Sequence, residues 1–186
     1  MPESQMRVLW KAHPYSPGTL IGTKCHTTIH ILQYNRILIK EIVLKEQWET
    51  TLPGLTVNLV VEPKKQRVED MQDGNFEVAL TRWGPDYADP MTYLGMWVTD
   101  NSNNYGLWSN ADYDAMIDEC TTGDLCTDAE GRWAKMYEAE KIVMDDAVIF
   151  PLYTAANAQM ISSNVTGLEQ HPVALNRVYK NVVKED

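Results

Sequence analysis

The sequence predicts an α/β domain in which a sheet is flanked by helices, and three neighbouring segments carry that prediction. Residues 27–34 are dense in β-branched side chains and predict a strand, and residues 55–61 predict a second strand. Between them, residues 37–52 repeat their apolar side chains close to the helical period and end at Pro53-Gly54. A strand, a helix of this length and a second strand form a βαβ unit, whose connection is right-handed in nearly all proteins.

The composition is that of a folded acidic domain. The chain has 186 residues, of which 44% are hydrophobic, and a formal net charge of −10. This apolar content is sufficient for a core. The absence of a basic run argues against a nucleic-acid partner and against anionic membrane surfaces, although the net charge also has the simple role of keeping a protein soluble. No stretch of the sequence approaches the roughly 20 apolar residues of a membrane span.

The most informative stretch begins with a strand that opens into a polar loop. Residues 76–83 alternate between two sets of side chains, and Gly84-Pro85 ends this strand because proline cannot donate to a ladder. Asp86 and Tyr87 therefore lie just past a strand end, which is where ligands bind in open α/β sheets. Asp89-Pro90 then predicts the start of a helix over residues 91–98, with Asp89 as its cap.

The remaining elements follow from capping and turn signals. Residues 63–72 predict a short helix, with Val68 and Met71 facing inward and a solvated face formed by Lys64, Lys65 and Arg67. Later helices are predicted over 111–120, capped by Ser109-Asn110, and from a capping box at 127–130 to about residue 145. The apolar face of that last helix is predicted to consist of Trp133, Met136, Tyr137 and Val143. Further strands are predicted at 148–154 and 158–162.

The two ends of the chain give weaker signals. Residues 1–22 are predicted to be irregular, because His13-Pro14 and Ser16-Pro17-Gly18 are turn chemistry. Residues 23–162 are predicted to form the folded domain, and residues 163–186 a tail.

Cysteine spacing leaves two alternatives open. Cys120 and Cys126 bracket a short connection between two predicted helices, so they either form a disulfide or remain two free thiols, and Cys25 is left over. The histidines show no zinc-ligand spacing with these thiols, so no metal site is predicted.

Three runs of residues form a specific combination of motifs. They are Gly74-Asn75-Phe76-Glu77-Val78-Ala79-Leu80, Trp83-x-x-Asp86-Tyr87-x-Asp89-Pro90 and Asn103-Asn104-Tyr105. The combination resembles the family 5 extracellular solute-binding proteins, which include the oligopeptide- and dipeptide-binding proteins of ABC importers. The resemblance continues through residues 109–114 and 150–153; it covers the chain from about residue 46 onward and is poor before that.

The resemblance implies the C-terminal lobe of a periplasmic-binding-protein-like fold of class II (cluster C), with a mixed sheet flanked by helices. The tail at 163–186 would then return to an N-terminal lobe that this chain does not contain. The first residues lack the basic head and apolar middle of a signal peptide. We therefore expect a fragment of an extracytoplasmic protein, either periplasmic or lipid-anchored on the outer face of the cell membrane.

The resemblance also implies roles for individual residues. The carboxylate of Asp86 would bind the α-amino group of a peptide, since a carboxylate pairs well with an ammonium in a closed cleft. Trp83 would form an unselective apolar wall of the pocket. Tyr87 and Asn104 would offer a hydroxyl and an amide to the main chain of the ligand. Asp86, Trp83 and Asn104 each have a simpler structural alternative: a loop-capping aspartate, a core tryptophan and a turn asparagine.

The strand itself is implied to take part in binding. Backbone atoms of residues 81–84, including those of Gly84, would extend a peptide as an added strand, a mode that ignores the side chains of the ligand. In some relatives a basic residue on this strand meets the C-terminus of the ligand; Arg82 is close to that position, but Leu80 occupies the aligned one.

The implied function is that of the substrate-binding component of an ABC importer, with oligopeptides as ligand and the permease subunits and the missing lobe as partners. It needs no cofactor, and the isolated chain is expected to bind peptides weakly or not at all. Two alternatives stand beside it: a non-peptide ligand such as a nickel chelate or an oligosaccharide, and a protein-interaction module without a small-molecule ligand. An enzyme is not predicted, because the sequence has no nucleophile elbow, zinc-protease motif, phosphate loop or dinucleotide fingerprint.

Overall fold

A five-stranded mixed sheet forms the centre of the protein. The computed structural model describes residues 4–10, 25–32, 38–155, 159–171, 173 and 177–185. The strands of the sheet are β1 (Ser4–Trp10), β2 (Cys25–Leu32), β3 (Leu55–Glu62), β4 (Val78–Trp83) and β5 (Ile149–Ala155). In space their order is β3-β2-β4-β1-β5, with β2 parallel to β3 and β4, and β1 antiparallel to β4 and β5. The predicted mixed sheet is confirmed.

In the part of the chain that the structure describes, five α-helices connect or flank these strands. They are α1 (Leu38–Thr51), α2 (Lys64–Gln72), α3 (Met91–Leu94), α4 (Ala111–Thr121) and α5 (Ala129–Asp145). The predicted βαβ unit is present as β2, α1 and β3, with the two strands in parallel register from Cys25↔Leu55 to Leu32↔Glu62. The helix predicted over 91–98 is shorter, because α3 tightens into a 3-10 turn at Gly95–Trp97.

Part of the segment that was predicted to be irregular is a strand at the interior of the sheet. β1 lies between β4 and β5 and pairs with both of them. The prediction for residues 1–22 is therefore wrong over Ser4–Trp10. The alternation of apolar residues at Met6, Val8 and Trp10 is the period-2 signal of this strand.

Opposite faces of β4 enter two separate core clusters. Val78 and Leu80 pack with the buried residues of β2 and β3 and with Leu44 of α1. Ala79, between them, packs in the cluster built from the helices that follow β4. The buried side chains that α3, α4 and α5 contribute to this second cluster are Met91, Leu94, Tyr113, Ile117, Cys120, Met136, Ala139 and Val143. The predicted period-2 pattern thus corresponds to two differently covered faces of one strand.

Three predictions about the helices need correction. Trp133 and Tyr137 are exposed rather than inward, since the buried positions of α5 are Met136, Ala139 and Val143. Arg67 is buried rather than solvated, because its guanidinium donates to the backbone carbonyl of Leu80. The N-cap of α5 is Asp128, whose carboxylate accepts from the N–H of Gly131 at 3.1 Å, so no capping box begins at residue 127.

The outer edge of β3 is covered by an ion pair from α1. Lys45 and Glu49 lie one helical turn apart with 2.7 Å between Nζ and Oε1. Glu49 accepts from the backbone N–H of Val57 at 2.8 Å, and Lys45 donates to the carbonyl oxygen of the same residue. Because β3 is an end strand, these bonds satisfy backbone groups that would otherwise be open to a foreign strand.

The C-terminal residues pair among themselves. β6 (Val165–Thr166) is antiparallel to β9 (Val183–Lys184), and β7 (Glu169–Gln170) is antiparallel to β8 (Arg177–Val178). The strand predicted over 158–162 is not formed at 159–162, and residue 158 lies outside the described residues. Whether this tail meets another lobe stays a prediction. In the part of the chain that the structure describes, no helix is both long enough and apolar enough to cross a membrane.

Candidate functional site

The end of β4 and the loop that follows it present most of the predicted site residues to solvent. Arg82, Gly84, Asp86 and Tyr87 are all exposed, and Trp83 between them is partly buried. The structure therefore brings these five residues together in one short segment at the carboxyl end of a strand, as the sequence predicted.

Asp86 is held by its backbone and free at its side chain. Its N–H donates to Oγ1 of Thr92 at 3.1 Å, and Thr92 is itself buried under the loop. Within the described residues the Asp86 carboxylate has no hydrogen bond or salt bridge. This side chain therefore does not cap its own loop, and its oxygens remain available to a cation from outside.

Tyr87 places a protonated hydroxyl beside this carboxylate. The side chain is 50% exposed. The pKa of Tyr87 is raised, first by partial burial and then by the negative charges of Asp89 and Asp86. At neutral pH the phenol thus keeps its proton and can donate a hydrogen bond to a ligand oxygen.

Trp83 lies on the same face of β4 as Ala79 and packs against the helical core cluster. Its indole N–H is buried and has no hydrogen-bond partner among the described residues. The residue therefore combines the two alternatives weighed from the sequence: one part of the indole belongs to the core and another part borders the loop.

Among the described strands, the backbone of this part of β4 is paired on one side only. β1 pairs along the entire strand on one side, with Gln5 opposite Trp83 and Met6 opposite Arg82. On the other side, β2 is in register with β4 only at Val78 and Ala79. Beyond that point, the described strands leave residues 81–83 without a neighbour on the β2 side. This arrangement is compatible with the addition of an extended peptide there.

A half-buried ion pair lies directly behind the loop. Arg132 of α5 contacts Asp89 with two parallel bonds, Nη1–Oδ2 at 2.7 Å and Nη2–Oδ1 at 3.0 Å. The pKa of Asp89 is lowered, mainly by these bonds, and the pKa of Arg132 is raised by the same pair. Sequence reasoning identified Asp89 only as a helix cap and missed Arg132, because 43 residues separate the two and no local pattern links them.

Comparisons with known proteins assign this arrangement to a family. A family profile described as "Bacterial extracellular solute-binding proteins, family 5 Middle" matches residues 41–105. The curated "Dipeptide-binding protein" of Lactococcus lactis subsp. cremoris is 36% identical over 132 residues, which are 71% of this chain and 24% of that protein. The chain belongs to the family 5 extracellular solute-binding proteins.

Solved structures of peptide-binding proteins have a similar fold. "Listeria monocytogenes OppA bound to peptide" superposes with a TM-score of 0.76 at 29% identity, over 88% of this chain and 30% of that one. The substrate-binding domain of an oligopeptide ABC transporter from Bacillus anthracis gives 0.78 at 30% identity, over 87% of this chain and 31% of that one. The chain thus spans about a quarter of the length of the curated relative and under a third of these structures.

Asn104 has a different place in this family member from the one predicted. It is buried, and its amide nitrogen donates to the carbonyls of Trp108 at 2.7 Å and Val98 at 3.3 Å. Its amide oxygen accepts from the N–H of Trp108 at 3.2 Å. Because the side chain already holds its own loop together, we assign Asn104 to the loop architecture and leave it out of the proposed ligand site.

The two cysteines considered for a disulfide are free thiols in this structure. Cys120 is buried in the helical core and Cys126 is exposed. The Cys120 thiol lies 3.8 Å from the carbonyl oxygen of Arg132, and burial raises its pKa. The structure thus has the free-thiol alternative, with Cys120 in the core and Cys126 at the surface. No group of three or more metal-ligating side chains occurs among the described residues.

Proposed function

We propose that this chain is one ligand-binding lobe of a peptide-binding protein, and that Asp86 binds the α-ammonium group of the peptide. The observation that carries the proposal is the state of this carboxylate, which is exposed at the end of β4 and unpaired within the described part of the chain. An ammonium group has three donors and forms strong, short bonds with such an acceptor.

The neighbouring groups fit the rest of a peptide terminus. The Tyr87 hydroxyl can donate to a carbonyl oxygen, and the open side of residues 81–83 can hydrogen-bond to an extended main chain. The partly buried indole of Trp83 adds a rigid apolar surface that favours no particular side chain. Exposed Arg82 is the nearby cation for a carboxylate of the ligand. Recognition of this kind depends on the peptide backbone and its charge, so the proposed site would accept peptides with many different side chains.

The proposed mechanism is capture and presentation, without any covalent step, so we propose no catalytic activity. The ligand would lie between this lobe and a second one, which would close over it by a hinge motion. The names of the relatives, a dipeptide-binding protein and a substrate-binding domain of an oligopeptide ABC transporter, support delivery to the permease subunits of an ABC importer. The corresponding location is extracytoplasmic, in the periplasm or lipid-anchored outside the cell membrane.

An NMR titration tests the proposal. Free trialanine and N-acetyl-trialanine are added separately to the ¹⁵N-labelled chain, because acetylation removes only the positive charge. One lobe offers about half of the contacts, so we expect saturable shifts at residues 82–87 with affinity in roughly the millimolar range, and tighter binding of the free peptide. A dissociation constant below about 1 μM would contradict the idea that this lobe is half of the site.

The matched variants are Asp86→Asn and Asp124→Asn, the second being another exposed aspartate whose carboxylate has no partner within the described residues. Only Asp86→Asn should abolish the preference for the free amine. Equal binding of both peptides to the wild-type chain would overturn the role of Asp86. No shift with either peptide, together with binding of a metal chelate or an oligosaccharide, would favour a non-peptide ligand.

A further inference from the structure

Arg132 connects the loop of the proposed site to two helices of the core. Its two terminal nitrogens bind Asp89 at 2.7 and 3.0 Å, and its Nε donates to the carbonyl oxygen of Cys120 at 2.9 Å. The side chain is 19% exposed and that of Asp89 is 31% exposed. One guanidinium thus joins α5, on which it stands, to the last turn of α4 and to the loop after β4.

Asp89 is in turn hydrogen-bonded to the residues of the loop around Asp86. Its N–H donates to the carbonyl oxygen of Tyr87 at 3.0 Å, and its Oδ1 accepts from the N–H of Met91 at 2.8 Å. Its carbonyl oxygen accepts from the N–H of Thr92 at 3.1 Å, and Thr92 in turn holds the backbone of Asp86. The path from Arg132 to Asp86 therefore consists of hydrogen bonds between consecutive parts of one tight loop.

The same contacts divide the two carboxylates of the loop by function. Asp89 is neutralised by Arg132, whereas Asp86, three positions earlier, keeps its charge free of any partner within the described residues. A loop with two unpaired carboxylates would repel itself and would offer a cation two competing acceptors. The ion pair leaves a single, fixed acceptor at the end of β4.

We propose that Arg132 is a positioning residue for the ligand site, which acts through Asp89 to hold Asp86 where it can receive the ligand's ammonium group. This inference rests on the proposed function of Asp86. The planar guanidinium is essential to it, because only arginine can make two parallel bonds to a carboxylate while donating a third bond to a backbone carbonyl.

The test compares Arg132→Gln, Arg132→Lys and Asp89→Asn in the same NMR titration with free and N-acetylated trialanine. The measured quantity is the ratio of the two dissociation constants. We expect the wild-type chain to bind the free peptide about tenfold more tightly, the effect of one charge-assisted bond. The ratio should fall to about twofold or less in Arg132→Gln and in Asp89→Asn, and Arg132→Lys should be intermediate because lysine makes a point contact.

Arg132→Gln and Asp89→Asn change the local charge in opposite directions, which separates positioning from simple electrostatics. Arg132→Gln adds a net negative charge near the site and Asp89→Asn removes one. If the ratio rises in the first and falls in the second, the pair acts only through its charge and the positioning role is overturned. Positioning requires that both variants lower the ratio and that their combination lowers it no further, since the two residues act as a unit.

Lys135→Gln is the matched control, because Lys135 stands one turn further along α5 and pairs with Glu119 and Glu138. It should leave the ratio unchanged. A variant that only lowered stability would weaken both peptides equally and keep their ratio. If the wild-type chain and Arg132→Gln both discriminate between the two peptides, the positioning role of Arg132 is rejected and the proposed function of Asp86 stands. If the wild-type chain does not discriminate between them, the proposed function of Asp86 is itself rejected.

Discussion

Replacement of Asp89 by asparagine should remove a defined part of the free energy of unfolding. Asparagine keeps an oxygen for the N–H of Met91, so the change isolates the pair with Arg132. Fully buried pairs cost about 3–5 kcal/mol to break and exposed pairs about 0–1 kcal/mol. With side chains that are 31% and 19% exposed, this pair lies between the two classes, and we expect a loss of about 2 kcal/mol at neutral pH.

The loss should depend on pH in a direction fixed by the shift of Asp89. Its pKa is lowered in the folded state, mainly by Arg132, relative to the unfolded chain. The stabilisation by the pair is therefore complete above the unfolded pKa and disappears as the pH falls through the lower, folded pKa. Urea unfolding followed by tryptophan fluorescence, from pH 7 down to pH 3, should show the wild-type and variant curves converging in acid.

The control is Glu69→Gln, which breaks the exposed pair with Lys65 across 3.6 Å. It should change the free energy of unfolding by less than about 0.5 kcal/mol at any of these pH values. If Asp89→Asn is as mild as this control at pH 7, or if its effect is undiminished at pH 3, the ion pair is not the reason for its cost.

Three further results follow from groups near the site. Asn104→Asp would direct a carboxylate at the carbonyl oxygens of Trp108 and Val98, and should lower the free energy of unfolding, measured in urea, by about 3 kcal/mol. A decrease below about 1 kcal/mol would contradict the hydrogen bonds assigned to this amide. Tyr113→Phe would remove the hydroxyl that donates to the carbonyl oxygen of Leu94 at 2.6 Å, and should lower the free energy of unfolding by about 1–2 kcal/mol. The far-UV circular dichroism spectrum of the folded state should not change, and an unchanged unfolding midpoint would refute the prediction. Iodoacetamide should label exposed Cys126 rapidly in the folded protein and Cys120 only after unfolding, because burial protects the Cys120 thiol and raises its pKa. Peptide mass spectrometry measures the two rates, and equal rates would contradict the burial of Cys120.

Local pattern was sufficient to predict most of the elements and the exposed strand end that carries the candidate site. The alternation in β4 and the Gly84-Pro85 stop are consequences of backbone geometry over a few residues, and they placed Asp86 and Tyr87 at an exposed strand end. The same local signals gave the βαβ unit of β2, α1 and β3.

What the sequence did not reveal depends on tertiary contacts. Trp133 and Tyr137 have the spacing of an inward stripe, but the orientation of α5 is decided by how Met136, Ala139 and Val143 fit the core. Arg67 resembles a solvated cation until a strand carbonyl is placed next to it. The partnership of Asp89 with Arg132 likewise exists only after α5 has packed behind the loop.

The position of β1 has a consequence for how this protein can be assembled. In the described sheet β5 pairs only with β1, so strands from the two distant ends of residues 4–155 must meet before the last hydrogen-bonded ladder can close. For contacts of such large sequence separation, the entropy of closing the long loop is lost before the hydrogen bonds form, which slows folding. During synthesis β1 can pair with β4 as soon as residue 83 has emerged, but its other edge has to wait for β5 at Ile149–Ala155, and until then that edge of β1 is open to a competing strand.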